Sequence, residues 1–137
     1  MKSISIKEKI KIIKRRKIED SRGWFLKVID GKEANLPSHT GEVYLTMALP
    51  GEIKGGHYHN KANEWFTLIE GKCEVRLEDM ETKERYIFSL EGREPLTLFV
   101  PAKIAHAFVN NEESTKFILL AYTDQLYDPV DTIPYQL

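Results

Sequence analysis

The sequence predicts an all-β fold, an antiparallel sandwich or barrel. Three observations carry this: short runs rich in valine, isoleucine, leucine, tyrosine and phenylalanine recur, turn-forming clusters separate them, and no segment has an apolar stripe at helical spacing. KIKIIK opens the series as a strand with interleaved lysines, and WFLKVID and EVYLTMAL follow. NEWFTLIEG comes after a glycine-rich stretch that carries two histidines. CEVRLED alternates, with Cys73, Val75 and Leu77 on one side and Glu74, Arg76 and Glu78 on the other, as in a strand half in a core and half in water. EDMETKE reads as the hairpin tip leading into ERYIFSL. LTLFV, HAFVN and KFILLAY complete the set, and DGK, LPGE, EGK, EGREP and NNEES supply the turns. The ending, AYTDQLYDPVDTIPYQL, with its tyrosines and prolines, reads as an irregular segment packed across the barrel.

The chain has 137 residues, which fits one domain over 1–137 with a sizeable core. Twenty basic residues against 21 acidic ones leave a net charge of −1, without the basic surplus that nucleic-acid binding needs. The basic run KEKIKIIKRRK reads as a solvated edge strand. Its Ile10, Ile12 and Ile13 would leave an exposed apolar edge, so segment 1–19 is expected at a homodimer interface. The single cysteine, Cys73, permits no intrachain disulfide and reads as an inert core thiol. No run resembles a leader or a membrane span, so no membrane partner is expected and the expected compartment is the cytoplasm.

Three of the four histidines fall in two places that can converge. His57 and His59 lie two apart, so on a strand both face one way. Glu64 follows after a turn's length, and His106 begins a later strand. Three imidazoles and a carboxylate make a first shell for a divalent metal such as zinc, iron, manganese or nickel. His39, in LPSHTGE, reads as a surface residue. Trp65, Phe66, Phe99 and Phe108 read as core, and Tyr58, between the two histidines, as packing on the opposite face. Asn110 fits a turn or a substrate contact equally well.

These residues make the chain resemble a cupin. Gly51, His57, His59, Glu64 and Gly71 match the first cupin motif, G-x5-H-x-H-x3-4-E-x6-G, without a gap. Pro101, His106 and Asn110 match the second, G-x5-P-x-G-x2-H-x3-N, in which Pro95 and Lys103 replace the two glycines. The resemblance implies a cupin-type double-stranded β-helix, a jelly-roll barrel, with the metal ligands His57, His59, Glu64 and His106 in its mouth. DSRGWF, KGGHYH, VPAKIAHAF and AYTDQLYDP are similar to stretches of the cupins that act on nucleotide-linked 4-keto sugars. Those are the dTDP-4-dehydrorhamnose 3,5-epimerases, the dTDP-4-keto-6-deoxyglucose 3,4-ketoisomerases and the cupin domain of the bifunctional capsular polysaccharide enzymes.

That narrower resemblance implies a sugar-nucleotide epimerase or ketoisomerase of polysaccharide synthesis, with a nucleotide-sugar substrate and no organic cofactor. It makes His57 the catalytic base and His106 the second active-site histidine. Lys54 falls where the epimerases place a substrate-binding arginine, and Arg22 where an arginine holds the substrate phosphates. The epimerases carry their general-acid tyrosine three residues before a T-D pair; here that position is Leu120, and Tyr122 stands nearby as a substrate-binding candidate.

The carbonyl of a 4-keto sugar acidifies the protons at C3 and C5. An imidazole of ordinary pKa, about 6.5, suits their removal. Lys54, a second histidine or a metal could stabilise the enolate oxygen. A histidine that binds a metal through one nitrogen cannot act as base through the same atom, so His57 is ligand or base at any one time. Two alternatives remain at this point: a metal-dependent cupin oxygenase, and a non-catalytic sugar-binding cupin whose metal stabilises the barrel.

Overall fold

The computed structural model describes residues 4–39 and 41–137. A single helical turn, α1 (Ile6–Lys9), precedes the strands β1 (Lys11–Lys14), β2 (Lys17–Asp20), β3 (Gly23–Leu26), β4 (Glu42–Ala48), β5 (Ile53–Tyr58) and β6 (Glu64–Glu70). Then come β7 (Lys72–Asp79), β8 (Arg85–Glu91), β9 (Leu96–Val100), β10 (Ile104–Val109), β11 (Phe117–Thr123), a 3-10 turn (Pro129–Asp131) and β12 (Ile133–Pro134). Two five-stranded antiparallel sheets, β1-β9-β6-β11-β4 and β12-β5-β10-β7-β8, face each other, and β2 and β3 form a separate hairpin. This is the cupin jelly roll expected from the sequence.

The inner faces of the two sheets enclose one core, with Phe66, Leu68, Val75, Leu77, Leu98, Phe108, Phe117 and Leu119 at its centre. β11 illustrates the alternation that builds it: Phe117, Leu119, Ala121 and Thr123 are buried, while Ile118, Leu120 and Tyr122 between them face the other way. Cys73 lies in the core, and burial pushes its thiol up to about 12, which makes it inert. Trp65 and Phe99 are buried too, but on the outer face of their sheet, where their rings stack 4.8 Å apart. The chain after β3 runs over that face, and its Val28 carbonyl accepts a hydrogen bond from Thr97.

The N-terminus differs from its predicted strand. Ile6 and Ile10 are four apart, the spacing that puts both on one side of a helical turn, and both enter the core at 1% and 3% exposure. The Ser5 carbonyl accepts the amides of Glu8 and Lys9, and Lys9 reaches Asp79 at 2.7 Å. Only β1 itself is extended, on the edge strand position beside β9. Ile6 and Ile10 are therefore covered within the chain, whereas Ile4, Ile12 and Ile18 remain 57%, 41% and 52% exposed. Residues 1–3 of that segment lie outside the described residues. Among the described residues no helix is long and apolar enough to cross a membrane.

Two motif positions explain themselves through backbone geometry. Gly71 joins β6 to β7 at φ +90°, and a Cβ there would stand 2.4 Å from the Lys116 carbonyl oxygen, so no other residue fits. Lys103, where the second motif has glycine, holds φ +70°, a left-handed conformation that costs a side chain about 1–2 kcal/mol. Its side chain is exposed, so Lys103→Gly is expected to stabilise the fold by roughly 0.5–1 kcal/mol after glycine's own entropy is subtracted. Urea unfolding of the two proteins checks this, and an unchanged or lower midpoint refutes it.

Candidate active site

β5 reaches the site through a bulge. Lys54 pairs with Phe108 and Gly55 with Ala107, yet His57 pairs with His106, so Gly56 is the extra residue. Gly55 adopts φ +82°, and a Cβ on it would lie 2.8 Å from the His106 carbonyl oxygen. Glycine here lets the two histidine-bearing strands approach. The bulge turns the His57 ring beside that of His106, with centroids 4.8 Å apart, and His59 follows at 4.9 Å from His57. Glu64 is the first residue of β6, buried opposite Thr123 and Val100.

The structure thus brings His57, His59, Glu64 and His106 together, with one donor atom from each within 4.8 Å of all the others. Glu64 Oε1 stands 2.9 Å from His59 Nε2 and 3.3 Å from His106 Nε2. His59 Nδ1 donates to the Asp131 carbonyl at 2.8 Å, and this fixes Nε2 as the atom turned toward Glu64. Despite their proximity, His59 Nε2 and Glu64 Oε1 make no aligned hydrogen bond and are buried without a partner. Two such atoms aimed at one point suit a shared third partner, and the four residues together could hold a divalent cation.

The charges in this cluster sort the histidines. Burial, reinforced by the neighbouring His106 and His59 rings, pushes His57 down to about 4. Burial also acts against a charged His59, but the adjacent Glu64 carboxylate and the Asp131 carbonyl prevail and hold its pKa above the ordinary value. Burial acts to raise the Glu64 carboxyl, and the His106 and His59 rings overcome it, keeping Glu64 well below the usual carboxylate range. Burial and its two neighbouring rings thus favour the neutral form of the His57 imidazole.

Above the cluster lies a cavity of about 370 Å³. Tyr44, His57, His59, Glu64, Thr123 and Gln125 line it, with Glu42, Asp128 and Asp131 among the other walls; no lysine or arginine of the described residues does so. Tyr44 points inward from β4, and its hydroxyl donates to Glu64 Oε2 at 3.3 Å. Burial and the Glu64 charge hold this phenol above its ordinary pKa, so it stays protonated.

Other sequence-picked residues stand elsewhere. Tyr122 is on the outer face of β11 with its ring 5.3 Å from that of Trp65, because it is one residue out of step with Thr123; it does not line the cavity. Lys54 is half-buried on the Phe108 side of β5 and is also outside the lining. Arg22 is at the tip of the β2–β3 hairpin, 87% exposed and paired with Asp20 at 2.9 Å. His39 is exposed and bonds the Asp124 carbonyl at 2.8 Å. Tyr58 faces away from the histidines toward Tyr135. The Asn110 side chain holds a turn by donating to the Ala48 and Thr115 carbonyls.

The sequence reading missed Tyr44, Asp124 and Asp131. In EVYLTMAL both faces carry large apolar residues, and the structure puts Tyr44, Thr46 and Ala48 on the cavity and core side, Tyr44 still 42% exposed, while Val43, Leu45 and Met47 face out. The hydrophobic residues alone would have chosen the wrong face. The signal for the two aspartates is weaker still: each lies in what reads as an irregular tail.

With this geometry in hand, three comparisons place the chain among known proteins. The profile of the polysaccharide biosynthesis C-terminal domain family matches residues 18–134. The spore coat polysaccharide biosynthesis protein SpsL of Bacillus subtilis is 30% identical over 125 residues, covering 88% of this chain and 82% of that protein. The TDP-4-oxo-6-deoxy-α-D-glucose-3,4-oxoisomerase of Aneurinibacillus thermoaerophilus is 26% identical over 124 residues, covering 90% of this chain and 84% of the enzyme. Among solved structures, a dTDP sugar isomerase from Desulfovibrio desulfuricans aligns with a TM-score of 0.82 over 93% of this chain and 83% of that one. Its sequence identity is 20%, so that likeness is one of fold.

Proposed function

This chain belongs to the polysaccharide biosynthesis C-terminal domain family, and from that premise we propose that it isomerises or epimerises a nucleotide-linked 4-keto sugar for glycan synthesis in the cytoplasm. The observation that carries the reading is a neutral imidazole, His57, facing a protonated phenol, Tyr44, across one cavity. His57 takes the proton from the carbon beside the carbonyl, and the electron pair moves onto the carbonyl oxygen. Tyr44 donates to that oxygen, giving an enediol. Return of a proton to the same carbon from its other face gives the epimer. Loss of the neighbouring hydroxyl proton with protonation of the former carbonyl carbon gives the ketoisomer. Incubating the protein with dTDP-4-keto-6-deoxyglucose in deuterated water tests this by NMR: deuterium at C3 or C5 with inversion there marks epimerisation, at C4 ketoisomerisation, and none at C3, C4 or C5 refutes both.

Glu64 contacts His59 and His106, while His57 has no hydrogen-bond or ion-pair partner among the described residues. That division supports His59, Glu64 and His106 as the principal holders of a zinc, iron, manganese or nickel ion, and leaves His57 free as base. A metal bound there would supply a Lewis acid for the keto oxygen. Two histidines and a carboxylate are also the ligand set of non-haem iron oxygenases, which is the specific reason to keep that second reading. Oxygen uptake abolished by a chelator would support it against the isomerase.

The depressed His57 pKa has a signed consequence. As base it is deprotonated from about pH 5 upward, so the rate is expected to stay flat through neutrality and fall only toward pH 4. An acid limb near 6.5 would contradict the assignment. Stability follows the same group: the unfolded chain protonates its histidine near pH 6.5, the folded one near 4, so acid between these values favours unfolding.

A homodimer completes the reading. The exposed Val43 and Leu45 of edge strand β4, at 63% and 66%, lie on an outer face continued by Leu120 and Ile118 of β11. Ile18, Trp24 and Phe25 of the β2–β3 hairpin are exposed as well. These surfaces suit a second copy, whose hairpin would carry Arg22 toward a cavity that has no cation of its own for the substrate diphosphate. Sedimentation is expected to give a dimer that Leu45→Lys converts to monomer; a monomeric unmodified protein sinks the idea.

A further inference from the structure

We propose that Asp124 and Asp131 are the positioning residues of the histidine–glutamate cluster. The loop 60–63 spans the gap from His59 to Glu64, and the backbone N–H of every one of its residues goes to one of these two buried carboxylates. Asp131 accepts from Asn60 at 2.8 Å, Lys61 at 3.2 Å and Ala62 at 3.4 Å. Asp124 accepts the Asn63 amide at 2.9 Å and returns its own N–H to the Asn63 carbonyl at 3.1 Å.

Asp131 lines the cavity and Asp124 does not; neither is a reacting group, yet the effect reaches both histidines beside Glu64. The Asp131 carbonyl takes the His59 Nδ1 proton, so the residue that holds the loop also sets the ring. The Asn63 side chain donates to Asp124 and accepts from the Ala102 amide, both at 2.9 Å. Ala102 belongs to the turn that enters β10, which carries His106, and the next residue of that turn, Lys103, donates to the His59 carbonyl at 2.6 Å. A loop of this length left to water would have several conformations of similar energy. Two fixed anions, each bonded to successive amides, leave it one. The tail between β11 and β12, which supplies no reacting group, thereby decides where His59 and Glu64 stand.

Asp79 is a control of the same kind. It is buried, accepts the amides of Glu81 and Thr82 at 2.9 and 3.4 Å and the Lys9 ammonium at 2.7 Å, and organises the β7–β8 turn without a hydrogen bond to the 60–63 loop. The test compares Asp131→Asn, Asp124→Asn and Asp79→Asn by 15N NMR of the histidine rings and by turnover of the 4-keto sugar. In each asparagine variant an N–H donor replaces a carboxylate oxygen that accepts a hydrogen bond: from backbone amides at Asp131, from the Asn63 backbone or side-chain amide at Asp124, and from backbone amides or Lys9 at Asp79. The expected result is that Asp131→Asn and Asp124→Asn broaden or split the single Nδ1-protonated signal of His59 and lower kcat about 10–100-fold. Asp79→Asn is expected to lower Tm while leaving the His59 signal and kcat intact.

If Asp131→Asn and Asp124→Asn lower Tm but leave the His59 signal as it was, the two aspartates are merely structural and the proposal fails. Should Asp131→Asn not fold, Asp124→Asn carries the test alone. The turnover measurement rests on the isomerase reading, whereas the ring spectrum needs no substrate, so failure of that reading leaves the positioning question decided by the spectrum.

Discussion

Replacing His57 with glutamine is expected to slow deuterium exchange into the 4-keto sugar about 10²–10⁴-fold, the usual contribution of a positioned base. The same change should leave Tm nearly unaltered and should flatten its decline in acid. The asymmetry follows from the surroundings of the ring. His57 makes no hydrogen bond within the described residues, and burial and the neighbouring His106 and His59 rings favour its neutral form. Removing it therefore takes away the proton acceptor and, with it, a source of electrostatic strain. NMR exchange and thermal melts at pH 5 and 7 check both halves. Exchange at the unmodified rate would remove His57 from the chemistry.

Phe66→Ala is expected to be the most destabilising of the single changes considered, by about 3–5 kcal/mol, or roughly 10–17 °C in Tm. Phe66 is almost fully buried, with its ring 4.7 Å from that of Phe108 and 5.3 Å from His106. Its neighbours are strands locked by pairing on both sides, so the hole cannot close by a small backbone shift. The loss should appear as a lower urea midpoint with an unchanged slope. Because the ring also backs His106, exchange activity should fall further than the folded fraction alone explains. A cost under about 1 kcal/mol would mean that the core behind His106 is loosely packed.

Strand alternation made the jelly roll legible where one face is polar and the other apolar. β7 is the clear case, with Cys73, Val75 and Leu77 inside. β4 was read as a strand, but its facing was not legible, because its most hydrophobic side is the one left exposed. The histidine cluster was legible because a two-residue spacing and a short loop to Glu64 leave few other arrangements. Its meeting with His106 depends on the Gly55–Gly56 bulge, which spacing alone does not reveal. α1 escaped notice because a single turn offers only Ile6 and Ile10 as a pattern, and alternating lysines imitate a strand. Tyr44 and the two aspartates act through contacts more than fifteen residues away along the chain, which periodicity does not report.

The acid-rich wall of the cavity implies an unusual response to ionic strength. A nucleotide diphosphate approaching Glu42, Asp128 and Asp131 meets a field of its own sign. Added salt shortens the reach of that field, to about 8 Å at 0.15 M. Capture of the ligand by an isolated protomer should then speed up as electrolyte is added, opposite to the slowing seen where a basic funnel draws an anion in.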